Sequence, residues 1–464
     1  HWVAKIPDPD MRARAVASTE LTAYDWRSED SRITLQRLDA VIDFFGRTEK
    51  QYNLARIYFL RARTACAAGR AAQCESDLKQ GLAEASDELS ELSDPVLFGT
   101  YLTTIRGATD GMASLLLERD EARAALPYID CKRLFFSAVD ARPVACAASL
   151  TPLIVAVQRR LPRDGALLEL AVVDGQLLSW IVTPQRLRFD AAPLAARAAL
   201  LDRIMKDLGD VRSLVIVGDP ALADITFPSL RHPVTGHFLT EDVRLSFEPS
   251  AATFAYSPRF AAPRGQTLVV CNAAYDRKAV PGLAALPKAS EEAQQVAGAY
   301  RSAELLTGAD ATPERFLSEA GDAAIVHYVG HAISPRDTPL LAALVLAPAG
   351  RDPGLLFSRE IARTKFRRTS LVVLSACSTA AAARNEEAGV TNLARAFLAA
   401  GVPGVIASTT PVDDASAPEM FRLLHGLLAR GVAPAEALQK AQTEMIRRGA
   451  PPVAWSGFQY LGSI

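Results

Sequence analysis

From about residue 165 onward, β-branched apolar runs alternate with segments of helical period. This alternation limits the fold more than any other feature of the chain. Ser213–Val217, Thr267–Cys271, 323–332, 370–379 and Gly404–Ser408 are runs of buried-strand type. Helix-like segments lie between and after them, at Ala192–Met205, Ala289–Tyr300, Thr391–Ala400, Ala417–Arg430 and Ala433–Arg448. Some 300 residues of such alternation predict an α/β fold, with a mainly parallel sheet covered by helices on both faces. Asp174-Gly175, between apolar runs at 165–173 and 176–183, predicts a β-hairpin that extends the sheet in the antiparallel sense. Ile225–Leu230, Val243–Phe247 and Leu344–Leu346 read as short extended pieces.

Residues 10 to about 125 carry a different pattern, with apolar residues recurring every three or four positions. Around Gly69 the pattern resembles one tetratricopeptide-type helical hairpin. Tyr58 and Ala62 fall on its first helix, Gly69 at the turn, and Cys74, Leu78 and Gly81 on its second. No clean second copy follows, so a helical domain over 1–140 is expected rather than a repeat array.

The composition is that of an ordinary globular protein, 49% hydrophobic and 22% charged. Lysine plus arginine number 51 against 52 acidic residues, a formal net charge of −1, which argues against direct nucleic-acid binding. The densest basic cluster, Arg363–Arg368, reads as a solvated loop. Six dispersed cysteines (66, 74, 131, 146, 271 and 377) form neither a Cys-x-x-Cys pair nor a zinc-type cluster. In a chain this long such usage suits unpaired thiols in a reducing cytosol. No run is long enough to span a membrane, and no signal peptide is visible from His1 onward. A cytoplasmic protein with neither metal nor cofactor is expected.

The chemistry gathers at two strand ends. Open α/β sheets place their reactive groups beyond the carboxyl ends of parallel strands. His331 ends one apolar run and Cys377 another, which makes them a candidate base and nucleophile. A thiol with a pKa near 8.5 is only partly ionised at neutral pH, so a neighbouring imidazole must take its proton. The separation of 46 residues is close to the roughly 50 expected of caspase-like enzymes. The backbone N–H of Cys377 and one from the turn after His331 are candidate oxyanion donors. His327, four positions earlier, reads as a core-facing or partner-bonded residue. Glu291 and Glu292 read as a solvated helix face, and His232 and His237 are spaced too poorly to argue for metal.

The sequence around both strand ends resembles the CHAT peptidases, caspase-like relatives of separase often fused to tetratricopeptide repeats. Gly330-His-Ala332 and Ser375-Ala-Cys-Ser-Thr379 resemble their two catalytic motifs. The likeness continues through 393–408, Pro411–Asp414, 435–442 and 455–462, and upstream through 286–293 and 306–312. It implies a caspase-like fold, with an N-terminal part over 141–265 and a catalytic part over 266–464. It also implies His331 as general base, Cys377 as nucleophile, and an oxyanion hole from the N–H groups of Ala332 and Cys377. Three departures stand out: Ala332 replaces a common glycine, Ser378-Thr-Ala380 replaces Glu-Thr-Gly, and Thr409-Thr410 replaces Leu-Trp. Thr410, Asp413 and Asp414 fall where the resemblance places the substrate pocket. Asp414 is equally readable as the cap of the following helix. Ala380–Gly389 is either a loop that orders on substrate binding or activation, or a surface connection. The implied substrate is a dedicated protein, for example a gasdermin-like pore former or another neighbouring gene product, cleaved in bacterial defence or regulated cell death. The helical domain is the implied site for an activating partner. The alternative is a catalytically silent scaffold of the same fold.

Overall fold

Gly69 turns the chain with φ of 73°, between helices Leu54–Ala67 and Ala71–Glu91. A Cβ at Gly81 would lie 2.5 Å from the Phe59 ring, so only glycine lets these two helices pack this closely. Arg61 on the first helix clamps Asp77 on the second through two bonds of 2.9 and 2.6 Å, and reaches Asp39 at 2.7 Å. This is the tetratricopeptide-like hairpin expected around Gly69, flanked by helices Ser31–Gly46, Pro95–Leu117 and Ala122–Ser137. The unpaired thiols expected of this region are corrected by the structure. Cys66 and Cys74 face each other across the turn, with Cα atoms 5.2 Å apart, and are joined by a disulfide. Cys131 is disulfide-bonded too, and Cys271 is the free, buried cysteine among the described residues.

The computed structural model describes residues 5–9, 11–12, 15–16, 31–46, 54–91, 95–137, 152–257, 263, 265–278, 280–333, 341–376 and 393–463. Cys377 and the segment Ala380–Gly389 lie outside them. The chain divides into the helical unit, ending near Phe135, and an α/β unit that begins at Leu153.

The α/β unit is built on one sheet of eleven described strands. The predicted hairpin forms between β1 (Gly165–Val173) and β2 (Gln176–Val182), where Asp174 and Gly175 both take positive φ, 48° and 73°. β3 (Leu187–Pro193) lies at the edge beside β2, and β4 (Ser213–Val217) and β5 (Arg244–Phe247) follow β1 in parallel. The other side of the sheet holds β6 (Thr267–Ala273), β7 (Ala303–Gly308), β8 (Ile325–Val329), β12 (Leu371–Ser375) and β13 (Gly404–Ser408), all mutually parallel. A strand not anticipated from sequence, β14 (Phe458–Gly462), joins the sides, antiparallel to β13 and parallel to β5. Apart from the antiparallel hairpin strand β2, the sheet is therefore two parallel halves of opposite direction. A separate small sheet contains β9 (Ala332–Ile333), β10 (Ala343–Val345) and β11 (Leu355–Phe357). The expected extended piece at Ile225–Leu230 forms no strand; a 3-10 turn occupies Phe227–Ser229, started by Pro228.

Alternation along each strand sends side chains to two cores. Val326, Tyr328, Val372 and Leu374 pack with Phe316, on the helix Pro313–Asp322, and Phe397, on Leu393–Ala399. Ile325, Val329, Leu371 and Val373 pack on the opposite face with Ala293, Phe421 and Leu438. Those three sit on the helices Ala289–Gly298, Ala417–Leu428 and Pro434–Arg447. Helices thus cover both faces, as expected. Among the described residues no helix is long and apolar enough to cross a membrane.

Candidate active site

β8 and β12 are adjacent and parallel, with Val329 opposite Ser375. Gly330 N–H extends the ladder by donating to the Ser375 carbonyl at 3.2 Å. His331 follows Val329 by two residues and Cys377 follows Ser375 by two, so both chains leave the sheet at one level.

The turn carrying His331 is fixed from below. The Tyr328 hydroxyl lies 2.8 Å from the carbonyl oxygens of both His331 and Val345, and Val345 N–H donates to the His331 carbonyl at 3.0 Å. A Cβ at position 330 would come within 2.6 Å of that hydroxyl, which explains the glycine before the histidine. The half-buried imidazole meets Tyr275 edge-to-face, with centroids 5.5 Å apart, and bonds the backbone of Ala284. Burial holds its pKa below the usual histidine value, an effect the Ala284 bond partly opposes. Neutral imidazole, the form that accepts a proton, is thereby favoured. Ala332 lies opposite Leu344 across the β9–β10 pair. The neighbouring 331/345 level is hydrogen-bonded, so by the alternation of antiparallel ladders the Ala332 N–H points away from β10.

The remaining predicted pocket residues gather on the loop after β13. Thr410 is half-buried; its N–H and carbonyl both bond the Ser408 hydroxyl, and its side chain crowds Gly457. Neither aspartate caps the helix Ala417–Leu428: its N-cap is Ser416, with no side-chain cap bond, and Asp413 lies one turn before it. The Asp413 carbonyl accepts from Ala417 N–H at 3.0 Å, and its carboxylate accepts from the Ser416 hydroxyl at 2.6 Å. Asp414 instead accepts from Lys288 N–H at 3.1 Å, tying this loop to the segment that carries Ala284. His331, Ala284 and Asp414 thus belong to one network of loops at the carboxyl ends of the strands.

Sequence reasoning missed a buried polar group under this site. Glu292, read as solvated, is 2% exposed, and its Oε1 lies 3.0 Å from His327 Nε2. His327 is wholly buried and bonded, as one of its two readings held. The signal for Glu292 was its helical phase. It stands on the same face as Ala289, Ala293 and Val296, which together point into the core. Among the described residues no cluster of histidine, cysteine and acidic side chains is suited to hold a metal ion.

The sequence profile of the CHAT domain matches residues 190–463, more than half of the chain. The chain belongs to the CHAT family. A sequence comparison with curated proteins finds no match. The chain is similar to Saccharomyces cerevisiae separase, solved in complex with securin, with a TM-score of 0.51 at 10% identity. That likeness covers 99% of this chain and 48% of separase, so the chain spans about half of its neighbour's length. The Arg-specific cysteine proteinase gingipain R is also similar, with a TM-score of 0.40 and 14% identity over 57% of this chain and 67% of its own. The CHAT unit therefore shares the separase fold, and its His331 turn sits where the strands β8 and β12 end side by side.

Proposed function

We propose that the chain is a cysteine endopeptidase in which His331 takes the proton of the Cys377 thiol. The thiolate attacks the scissile carbonyl, forming a carbon–sulfur bond and an oxyanion bound by the N–H groups of Ala332 and Cys377. His331 then gives its proton to the leaving amine, and water hydrolyses the thioester to restore the thiol. One observation carries this reading: in the β8–β12 register, His331 and Cys377 follow the paired residues Val329 and Ser375 by the same two-residue step. The outward-facing Ala332 N–H supports it. Thr410, Asp413 and Asp414 are proposed as pocket residues; Asp414 serves as a wall held against Lys288 rather than as a free carboxylate.

The substrate class is a protein. The family resemblance suggests a dedicated target such as a gasdermin-like pore former, in bacterial defence or regulated cell death. The helical unit is proposed to receive an activating or restraining partner. The cytoplasmic setting expected from dispersed cysteines fits poorly with disulfides at Cys66–Cys74 and Cys131. Such bonds persist in oxidising compartments, and an oxidising compartment is proposed for the helical unit. Ala332, in place of a more permissive glycine, favours a second reading as a silent scaffold.

Labelling by a thiol-reactive peptide warhead separates the two readings. Selective modification of Cys377 is expected, abolished in Cys377→Ala and slowed roughly 10²- to 10⁴-fold in His331→Ala. Equal labelling of all three proteins overturns the dyad. Co-expression with neighbouring gene products adds a second discriminator: a neighbour that is bound but never cut supports the scaffold. Alkylation before and after reduction, read by mass, tests the compartment; full reactivity of Cys66 and Cys74 in protein from its native host overturns it.

A further inference from the structure

Beneath the proposed dyad runs a continuous line of buried hydrogen bonds. The Tyr300 hydroxyl lies 2.7 Å from His425 Nδ1, His425 Nε2 lies 3.1 Å from His327 Nδ1, and His327 Nε2 lies 3.0 Å from Glu292 Oε1. Glu292 in turn bonds the Ser375 side chain. Ser375 is the last residue of β12, two positions before Cys377. The helices Ala289–Gly298 and Ala417–Leu428 are thus tied by one polar chain to the paired strands β8 and β12. Buried polar groups cost several kcal/mol unless bonded, so this chain is maintained at the expense of a simpler apolar core.

We propose that Glu292, His327, His425 and Tyr300 are positioning residues that hold the carboxyl end of β12, and with it Cys377, and that they switch polarity together on gain or loss of one proton. The proposal rests on the cysteine-peptidase reading only for its consequence at Cys377. In one polarity Tyr300 donates to His425 Nδ1, His425 Nε2–H to His327 Nδ1, and His327 Nε2–H to an ionised Glu292. In the other a protonated Glu292 donates to His327 Nε2, His327 Nδ1–H to His425 Nε2, and His425 Nδ1–H to the Tyr300 oxygen. The two states differ by a single proton, resident on Glu292, and by the tautomer of both histidines. Ser375 donates to Glu292 in either state, but to a carboxylate in the first and a neutral acid in the second, so the bond at the strand end changes strength.

The surroundings favour the protonated state near neutrality. Burial raises the Glu292 carboxyl to about 8 and drives the His327 imidazole down to about 3, while His425 falls well below its usual value from burial and the nearby His327. The groups facing Glu292 are Ser375 on β12, His327 on β8, Cys271 on β6, whose thiol feels its charge, and Asp414 on the loop after β13. His327 is further enclosed by Phe421 and His425, with ring centroids 5.0 and 4.7 Å away.

The test uses the full chain with two readouts. Nitrogen-15 resonances of the histidine rings report tautomers: those of His327 and His425 are expected to switch together with one midpoint near pH 8, and Glu292→Gln is expected to abolish the switch. Warhead labelling at Cys377 is expected to show an inflection at the same pH, lost in Glu292→Gln, while Glu292→Ala slows it by up to about 100-fold at all pH values. Fixed tautomers from pH 6 to 10, or a Glu292→Gln labelling profile that superimposes on the parent's, overturns the proposal. If Cys377→Ala and His331→Ala label as the parent does, the dyad has failed instead, and the ring resonances alone decide the fate of the chain.

Discussion

Gly330, Tyr328 and His331 show how much one turn depends on the absence of a single methyl group. Because a Cβ at 330 would press within 2.6 Å of the Tyr328 hydroxyl, Gly330→Ala must push that side chain off the His331 and Val345 carbonyls. Tyr328→Phe removes the hydroxyl without crowding and takes a donor from the buried Val345 carbonyl, while the His331 carbonyl keeps the Val345 N–H, at a cost of about 1–3 kcal/mol. Both variants are expected to lower Tm and slow warhead labelling, with Gly330→Ala the slower; labelling at the parent rate in Gly330→Ala would show that the turn tolerates displacement. At Glu292 the sign of the pH effect can be worked out. Its folded-state pKa of about 8 exceeds the ordinary 4.5, so the stability it contributes is present below about pH 4.5 and is lost as pH rises through 8. Glu292→Gln cannot ionise. The Tm of this variant relative to the parent is therefore expected to rise between pH 5 and pH 9, a trend that differential scanning calorimetry resolves. His331 behaves in the opposite sense for activity: with its pKa below 6.5, the acid limb of labelling is expected below that of a free histidine.

Elements that depend on local pattern were legible in the sequence. The Asp174-Gly175 hairpin formed because its turn needs two positive φ angles, and the Gly69 hairpin because its turn needs one. His331 and Cys377 were legible as strand ends for the same reason, since both follow short apolar runs. The buried polar contacts beneath them were not. Glu292 looked solvated because charge on a helix is usually outside, yet its helical phase pointed inward, and its partner His327 is separated from it by 35 residues. The cysteines misled for a similar reason, because dispersal in sequence hides proximity across a turn. Closing the Cys66–Cys74 loop of sequence separation 8 restricts the unfolded chain by about 2–3 kcal/mol in the chain-entropy account. Cys66→Ser with Cys74→Ser, or reduction of the parent, is thus expected to lower the melting temperature of the helical unit. Equal melting of the oxidised and reduced forms would show that the Gly69 hairpin stands on its Arg61–Asp77 clamp and apolar packing alone.

At the scale of the whole α/β unit, the decisive strand is one whose neighbours no local pattern announced. β14 comes from residues 458–462 but inserts between β5 at 244–247 and β13 at 404–408, reversing the direction of the sheet. Alternation within Phe458-Gln-Tyr-Leu-Gly462 marks a strand; which neighbours it takes is a long-range choice that its five residues do not contain. The choice is enforced from the helix Pro434–Arg447. The Gln442 amide donates to the carbonyls of Trp455 and Phe458, each at 3.0 Å, and its Oε1 accepts from Thr240 at 2.8 Å. One 2% exposed side chain therefore bonds the entry of β14 and the short helix Leu239–Asp242, just before β5. Gln442→Leu keeps the volume but leaves two carbonyls and a hydroxyl buried without this partner, and is expected to cost at least about 2 kcal/mol. Because β14 alone joins the two half-sheets, the loss is expected across both, as faster hydrogen exchange in β5 and β13 together with a lower Tm. Exchange that quickens in only one of these strands would mean that each half-sheet holds its edge without β14, and that the seam is a junction rather than the keystone of the unit.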